Sequence, residues 1–109
     1  MADPVIAASA AFGPDTNTFF VGSTATQCTS SAKSALQAYL VSNLSTFRQY
    51  LTWGNSGSVL SIGAPVQGTP SANTLGIPAG ATETFTLPTN SWFIASSGTG
   101  FEVTPGQGV

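Results

Sequence analysis

Ala32-Lys-Ser-Ala-Leu-Gln-Ala-Tyr-Leu-Val-Ser-Asn-Leu-Ser-Thr-Phe47 is the stretch on which the fold turns, because it carries two periods at once. Ala32, Ala35, Leu36, Tyr39, Leu40, Leu44 and Phe47 recur at helical spacing, with Thr29, Ser30 and Ser31 ahead of them as N-cap candidates. Read with period two, Leu36, Ala38 and Leu40 alternate with Gln37, Tyr39 and Val41, and Ser42-Asn43 opens a turn. A second strand over residues 46–53 then puts Phe47, Gln49, Leu51 and Trp53 on one face. Periodicity alone leans to the helix. The neighbours lean to strands, since a lone helix would have to dock among short threonine-rich strands. Two strands are therefore the expectation, and a helix is the alternative.

Outward from this stretch, the chain reads as short strands between turn signals. On the N-terminal side, residues 18–29 hold Phe19, Phe20 and Val21, then Thr24, Thr26 and Thr29, a composition for one or two strands bent at Gly22. Residues 1–15 are small and alanine-rich and end in Phe12-Gly-Pro-Asp15, a turn signal; they read as an extended N-terminal arm. On the C-terminal side, Trp53-Gly-Asn-Ser-Gly57 is a turn cluster, residues 58–62 a short strand, and residues 63–76 the longest loop. Ile77-Pro-Ala-Gly80 then leads into a β-meander with strands over 81–87, 91–95 and 100–104, and Gly98-Thr-Gly100 reads as a hairpin turn. In the first of these strands Ala81, Glu83, Phe85 and Leu87 share one face and Thr82, Thr84 and Thr86 the other. The threonine face suits solvent or an interface, and Glu83 sits where the strand start lets water reach it. The expected fold is all-β: a single small antiparallel β-sandwich or barrel over residues 16–109, preceded by the arm.

The composition limits what such a fold is used for. The chain has 109 residues, enough for one domain, and 41% are hydrophobic, enough for a core. Only 6% are charged, with Lys33 and Arg48 the sole cations and Asp3, Asp15, Glu83 and Glu102 the sole acids. Such a surface repels other copies weakly and loses few ionic hydration shells when covered, which suits a protein held in an assembly. It offers no basic patch for nucleic acid and no run of membrane-spanning length. Met1-Ala-Asp-Pro4 lacks the basic start and apolar core of a secretory signal, so synthesis in the cytoplasm is expected.

Groups fit for chemistry are few. Without histidine there is no Ser-His-Asp arrangement and no histidine metal site, and no cofactor motif is present. Cys28 stands alone and reads as a small buried hydrophobe. Glu83 and Glu102 form a carboxylate pair only if neighbouring strands bring them together, and two solubilising surface acids are the simpler reading. Asn43-Leu-Ser45 matches a glycosylation sequon by chance. Trp53, Trp92, Tyr39 and Tyr50 would make a sugar-stacking face if exposed together, whereas core packing is the commoner fate of such side chains.

Certain segments together resemble small all-β virion proteins of tailed phages, the capsid decoration (cement) and minor head proteins. They are Leu40-Val-Ser-Asn43, Tyr50-Leu-Thr-Trp-Gly54, Ile77-Pro-Ala-Gly80 with Glu83-Thr-Phe85, Phe93-Ile-Ala95 and Val103-Thr-Pro-Gly-Gln-Gly-Val109. The likeness covers about residues 37–109 and also favours strands over residues 32–47. It implies a non-enzymatic clamp on the virion exterior, bound to the major capsid protein and homo-oligomeric, most often trimeric, with no nucleic acid or membrane partner. A tail or fibre position and a carbohydrate-binding module are the alternatives. No residue of that family carries over as an established contact. From the residues themselves, the candidate contacts are Pro4, Val5, Ile6 and Phe12 of the arm and the ladder Thr82, Thr84 and Thr86.

Overall fold

The computed structural model describes residues 12–14, 17–30, 34–60, 67–68 and 72–107. Their strands are β1 (Gly13–Pro14), β2 (Phe19–Val21), β3 (Thr26–Gln27), β4 (Leu36–Asn43), β5 (Gln49–Gly54), β6 (Thr74–Ile77), β7 (Thr82–Pro88), β8 (Trp92–Ala95) and β9 (Phe101–Gln107). All pairings are antiparallel and fall into two sheets. In the first the order is β1-β9-β4-β7, with β2 also on β9, so β1 and β2 form one interrupted edge. The second runs β3-β8-β5-β6. The sheets stay open at their edges, so the molecule is a sandwich and not a closed barrel.

The ambiguous stretch is extended, as its neighbours predict. Its odd-numbered side chains Gln37, Tyr39, Val41 and Asn43 point inward and are buried. A helix would have split this set around its circumference, whereas a strand lines it up on one face. The second strand starts at Gln49, not at residue 46. Residues 44–48 form the corner that carries the chain into the other sheet, and Phe47 is exposed there at 50%. Between the sheets lie Val21, Cys28, Tyr39, Val41, Leu51, Ile77, Leu87, Phe93, Ala95, Phe101 and Val103. Tyr39 meets Phe93 across the sandwich edge to face, with ring centroids 5.2 Å apart and planes at 72°, an arrangement aromatic quadrupoles favour.

Three expectations are corrected. The C-terminal strands are not a meander: β7 and β9 belong to the first sheet and β8 to the second. Consequently residues 96–100 cross between sheets and do not close a hairpin, with Gly100 at φ +68° making the turn. Of the strand expected over 58–62, residues 61–62 lie outside the described residues, and Ser58 and Val59 form instead a 3-10 turn at Gly57–Val59, entered through Ser56, whose Oγ accepts from the Ser58 N–H at 3.3 Å. Local side-chain capping here outweighs the strand propensity of the apolar residues. The supposed loop over 63–76 contains the start of β6, which pairs in full with β5. Gly22 bends the chain between β2 and β3 as expected, and β9 runs through Pro105 to Gln107. Residues 1–11, with most of the expected arm, lie outside the described residues. Gly13–Pro14 already pairs with Gly106 and Gln107 of β9.

The corner between β4 and β5 is organised by one amide. Asn43, 3% exposed, donates from Nδ2 to the carbonyls of Phe47 (3.0 Å), Ile77 (2.9 Å) and Pro78 (3.1 Å). Its Oδ1 accepts from the Ser45 N–H (2.9 Å), Ser45 Oγ (2.8 Å) and Gln49 Nε2 (2.9 Å). Gln49 Nε2 also reaches the Gly100 carbonyl at 3.0 Å, so the connections at this end of the sandwich share one polar knot. The sequon at Asn43 is therefore structural, its amide buried and engaged. Removing one member strands its buried partners. Asn43→Ala is expected to cost about 2–4 kcal/mol, read as a lower urea midpoint at unchanged m-value. A loss under about 0.5 kcal/mol would show that the knot is incidental.

Candidate functional site

The two sheets differ in what covers their outer faces. On the second sheet, alternation turns Trp92, Ile94, Thr52 and Gly54 outward, yet Ile94 and Thr52 are only 9% and 6% exposed. The described part of the segment after β5 folds back onto Trp92 and Gly54 of this face. A Cβ on Gly57 would meet Trp92 Cε3 at 2.6 Å, and one on Gly54 would meet Leu60 Cδ2 at 2.7 Å, so both glycines permit a backbone approach that a side chain would block.

Among the described residues the first sheet's outer face is more open, although Ala38 (6% exposed) and Gly106 are buried on it. The register gives cross-strand rows of Phe20, Glu102, Ser42 and Thr82, then Thr18, Thr104, Leu40 and Thr84, then Gly106, Ala38 and Thr86, with Leu36 beside Pro88 at the end. Phe20 and Leu36 are 57% and 58% exposed. The hydroxyls satisfy one another: Ser42 Oγ to Thr82 Oγ1 at 2.9 Å, and Thr18 Oγ1 to Thr104 Oγ1 at 2.8 Å. Glu102 is the one charge in these rows. The result is a broad, nearly neutral surface that carries two self-paired hydroxyl rows between exposed Phe20 and Leu36, and covering it desolvates little charge.

The structure brings four of the seven candidate contacts to this face. Thr82 and Thr86 are exposed and Thr84 half-buried along β7. Phe12, half-buried, lies over Gly106, where a Cβ would collide with the Phe12 ring and the Gly13 carbonyl. Its ring therefore shares a row with Ala38 and Thr86, and part of its surface is already used in holding β1 to β9. Pro4, Val5 and Ile6 lie outside the described residues. Phe20 and Leu36 are exposed apolar side chains of this face that sequence reasoning did not single out. Their outward direction follows only from the pairing of β2 with β9 and from the choice of strand over helix.

The alternative constellations are not assembled. Glu83 is exposed as expected and shares the inward parity of Val41, whereas Glu102 shares the outward parity of Ser42, so the two carboxylates lie on opposite faces with β4 between their strands. Tyr39 is fully buried and Trp53 packs on the core, while Trp92 and Tyr50 belong to the outer face of the second sheet. Arg48 does not pair with Glu83; its guanidinium stands 5.9 Å from the Tyr50 ring centroid and donates to the Gly76 carbonyl at 3.3 Å. Among the described residues no group of three or more His, Cys, Asp or Glu side chains is placed to hold a metal ion. Burial pushes the Cys28 thiol from 9.0 up to about 12, which keeps it protonated and a weak nucleophile. Burial likewise raises the Tyr39 phenol, partly opposed by its hydrogen bond from the Ser91 N–H.

No protein-family model matches the chain, and no curated protein or solved structure matches it either.

Two consequences are measurable. Gly106→Ala forces the Phe12 ring and β1 off β9 and should lower the melting temperature by several degrees. When it is combined with Phe12→Ala, the total loss should be less than the sum of the separate losses, since both act on one contact. For Cys28 the fold favours the neutral thiol, so its contribution is intact below the unfolded value of 9.0 and is lost as pH rises toward about 12. The decline reaches at most about 1.4 kcal/mol per pH unit from this group. Tyr39 adds to it in the same direction at higher pH. Melting curves between pH 7 and 10.5 should fall less steeply above pH 9 in Cys28→Ala than in the native chain; parallel curves would refute the assignment.

Proposed function

We propose that this chain is a non-enzymatic structural protein of a virion, a decoration protein that lays the outer face of its β1/β2-β9-β4-β7 sheet on the coat-protein lattice. The observation that carries this reading is the contrast between the two outer faces. One is covered in part by the segment after β5, with Gly57 on Trp92 and Leu60 on Gly54. Among the described residues the other is covered only where Phe12 lies over Gly106, and is otherwise almost uncharged, with Phe20 and Leu36 exposed. The resemblance of residues 37–109 to small phage head proteins supports the same reading and supplies the partner, the major capsid protein. A flat neutral face gives modest affinity per copy. Many copies on a repeating lattice turn such contacts into a firm bond across subunit seams.

The test begins with the native source material. Density-gradient sedimentation followed by mass spectrometry should find the chain co-migrating with a large particle in many copies. Stripped particles are then offered the purified chain and the double variant Phe20→Lys, Leu36→Lys. The variant should still melt cooperatively, since both side chains are more than half exposed, with a small loss where the Phe20 ring leaves Gly22 and Gly100, and should bind at least about ten-fold less. Equal binding would move the contact elsewhere on the molecule. A chain that stays at the top of the gradient would defeat the virion reading altogether.

A further inference from the structure

We propose that the edge of β7 that no described residue covers pairs with β7 of a second copy across a two-fold axis through Thr84, joining two sandwiches into one continuous sheet. This inference is independent of the coat-binding reading.

Antiparallel strands bond through alternate residue pairs. The bonds Asn43 N–H to Ala81 C=O and Thr89 N–H to Ala35 C=O set that alternation for β4 and β7. Residues 81, 83, 85, 87 and 89 thus direct their N–H and C=O groups to β4. Thr82, Thr84 and Thr86 direct theirs away from it, along a straight edge, and no partner for them exists among the described residues. The other edges are guarded. That of β1 and β2 is split in two and contains Pro14, and β3 is two residues long. The outward carbonyl of Gly76 on β6 is capped by the Arg48 guanidinium. An unguarded regular edge is a template for another strand.

The occupant follows from register. A strand added here must place its own outward-bonding residues opposite Thr82, Thr84 and Thr86. A second β7 does so with all three when the axis passes through Thr84, which sets Thr84 against Thr84 and Thr82 against Thr86. Each of these pairs exchanges both N–H···O bonds. Moving the axis to residue 83 loses one threonine from each strand and sets Glu83 against Glu83, a like-charge pair. Moving it to residue 85 brings Thr82 opposite Pro88, which has no N–H and whose carbonyl already accepts from Tyr39 Oη (2.8 Å) and Ser91 Oγ. The Thr84 register instead sets the carboxylate of Glu83, the one charge on β7, across from half-buried Phe85 and keeps the two carboxylates apart. Threonines facing threonines is itself a favoured cross-strand pairing. An isologous contact of this kind closes at two copies, whereas a trimer requires a different, heterologous contact. The seam is small, so pairing is concentration-dependent.

The test uses the full chain. Sedimentation equilibrium up to about 1 mM should show monomer and dimer, with the amides of Thr82, Thr84 and Thr86 slowed in hydrogen exchange as concentration rises. Thr84→Cys should cross-link into a covalent dimer under mild oxidation, since directly bonded pairs have Cα atoms about 5.5 Å apart, within disulfide reach. Thr82→Cys, whose partner is residue 86, should not. Thr84→Pro removes an outward N–H that β4 does not use, and should weaken dimerisation at least about ten-fold while the chain still melts cooperatively. If that variant fails to fold, Thr84→Lys sets two like charges face to face and should act alike. A chain monomeric throughout, a trimer, or a dimer that Thr84→Cys leaves uncross-linked would each overturn the proposal. A monomer that still seats on particles would overturn it while leaving the coat reading intact.

Discussion

The side chain of Asn43 is the constraint on which the architecture depends. The chain passes from one sheet to the other across residues 44–48, and the returns from β6 to β7 and from β8 to β9 arrive at the same end. Each crossing leaves backbone groups that no ladder satisfies, and buried groups of this kind are costly when unpaired. A carboxylate there would accept but not donate, and a lysine would donate but not accept. An amide does both, so Asn43 takes carbonyls from two connections on its nitrogen and gathers Ser45 and Gln49 on its oxygen. The arrangement is not free of cost, since Gln49 Oε1 is buried without a partner among the described residues.

At the opposite end the same strand performs a second clasp. Tyr39 Oη donates to the Pro88 carbonyl at 2.8 Å and accepts from the Ser91 N–H at 3.2 Å, holding the crossing from β7 to β8 against β4. Gln37, one pleat further along, donates to the Gly106 carbonyl at 2.7 Å. The inner face of β4 therefore supplies core volume in its middle and neutral hydrogen-bonding groups at its ends. A chain with so few charges has to close its sandwich this way. The outward residues of β4 are then relieved of structural duty, which is why that side of the sheet is available to something else.

Strand identity was legible where alternation was strong. The threonine ladder of β7 can be read from period two alone, whereas in β4 the alternation of Gln37, Tyr39, Val41 and Asn43 competes with a helical period and is decided by the neighbouring strands. Sheet membership was not legible. Nothing in residues 96–100 distinguishes a hairpin from a crossing, because both need a left-handed glycine, and the choice is made by Gln49 and Leu44 bonding the Gly100 carbonyl from far away in sequence. β6 was hidden for a related reason: Thr74-Leu-Gly-Ile77 has weak strand propensity of its own and is extended because β5 offers it a ladder. The candidate surface was half legible. Its threonines follow from one strand's pattern, but Phe20 and Leu36 join them only through pairings between strands distant in the chain.

Edge protection ties composition to assembly. Most soluble β proteins scatter lysine along exposed edges. This chain has two cations in all, and Arg48 is committed to the carbonyl of Gly76 on β6 and to the face of Tyr50. Interruption, shortness and Pro14 guard the edges of β1, β2 and β3 without charge. None of these devices reaches Thr82 to Thr86, where the strand is long, regular and uncharged at every outward-bonding residue. A bare edge beside an open neutral face would expose a freely diffusing monomer to uncontrolled association. If the working state is the ordered array proposed above, the same two features would let copies meet in one defined register and lie down on a common surface.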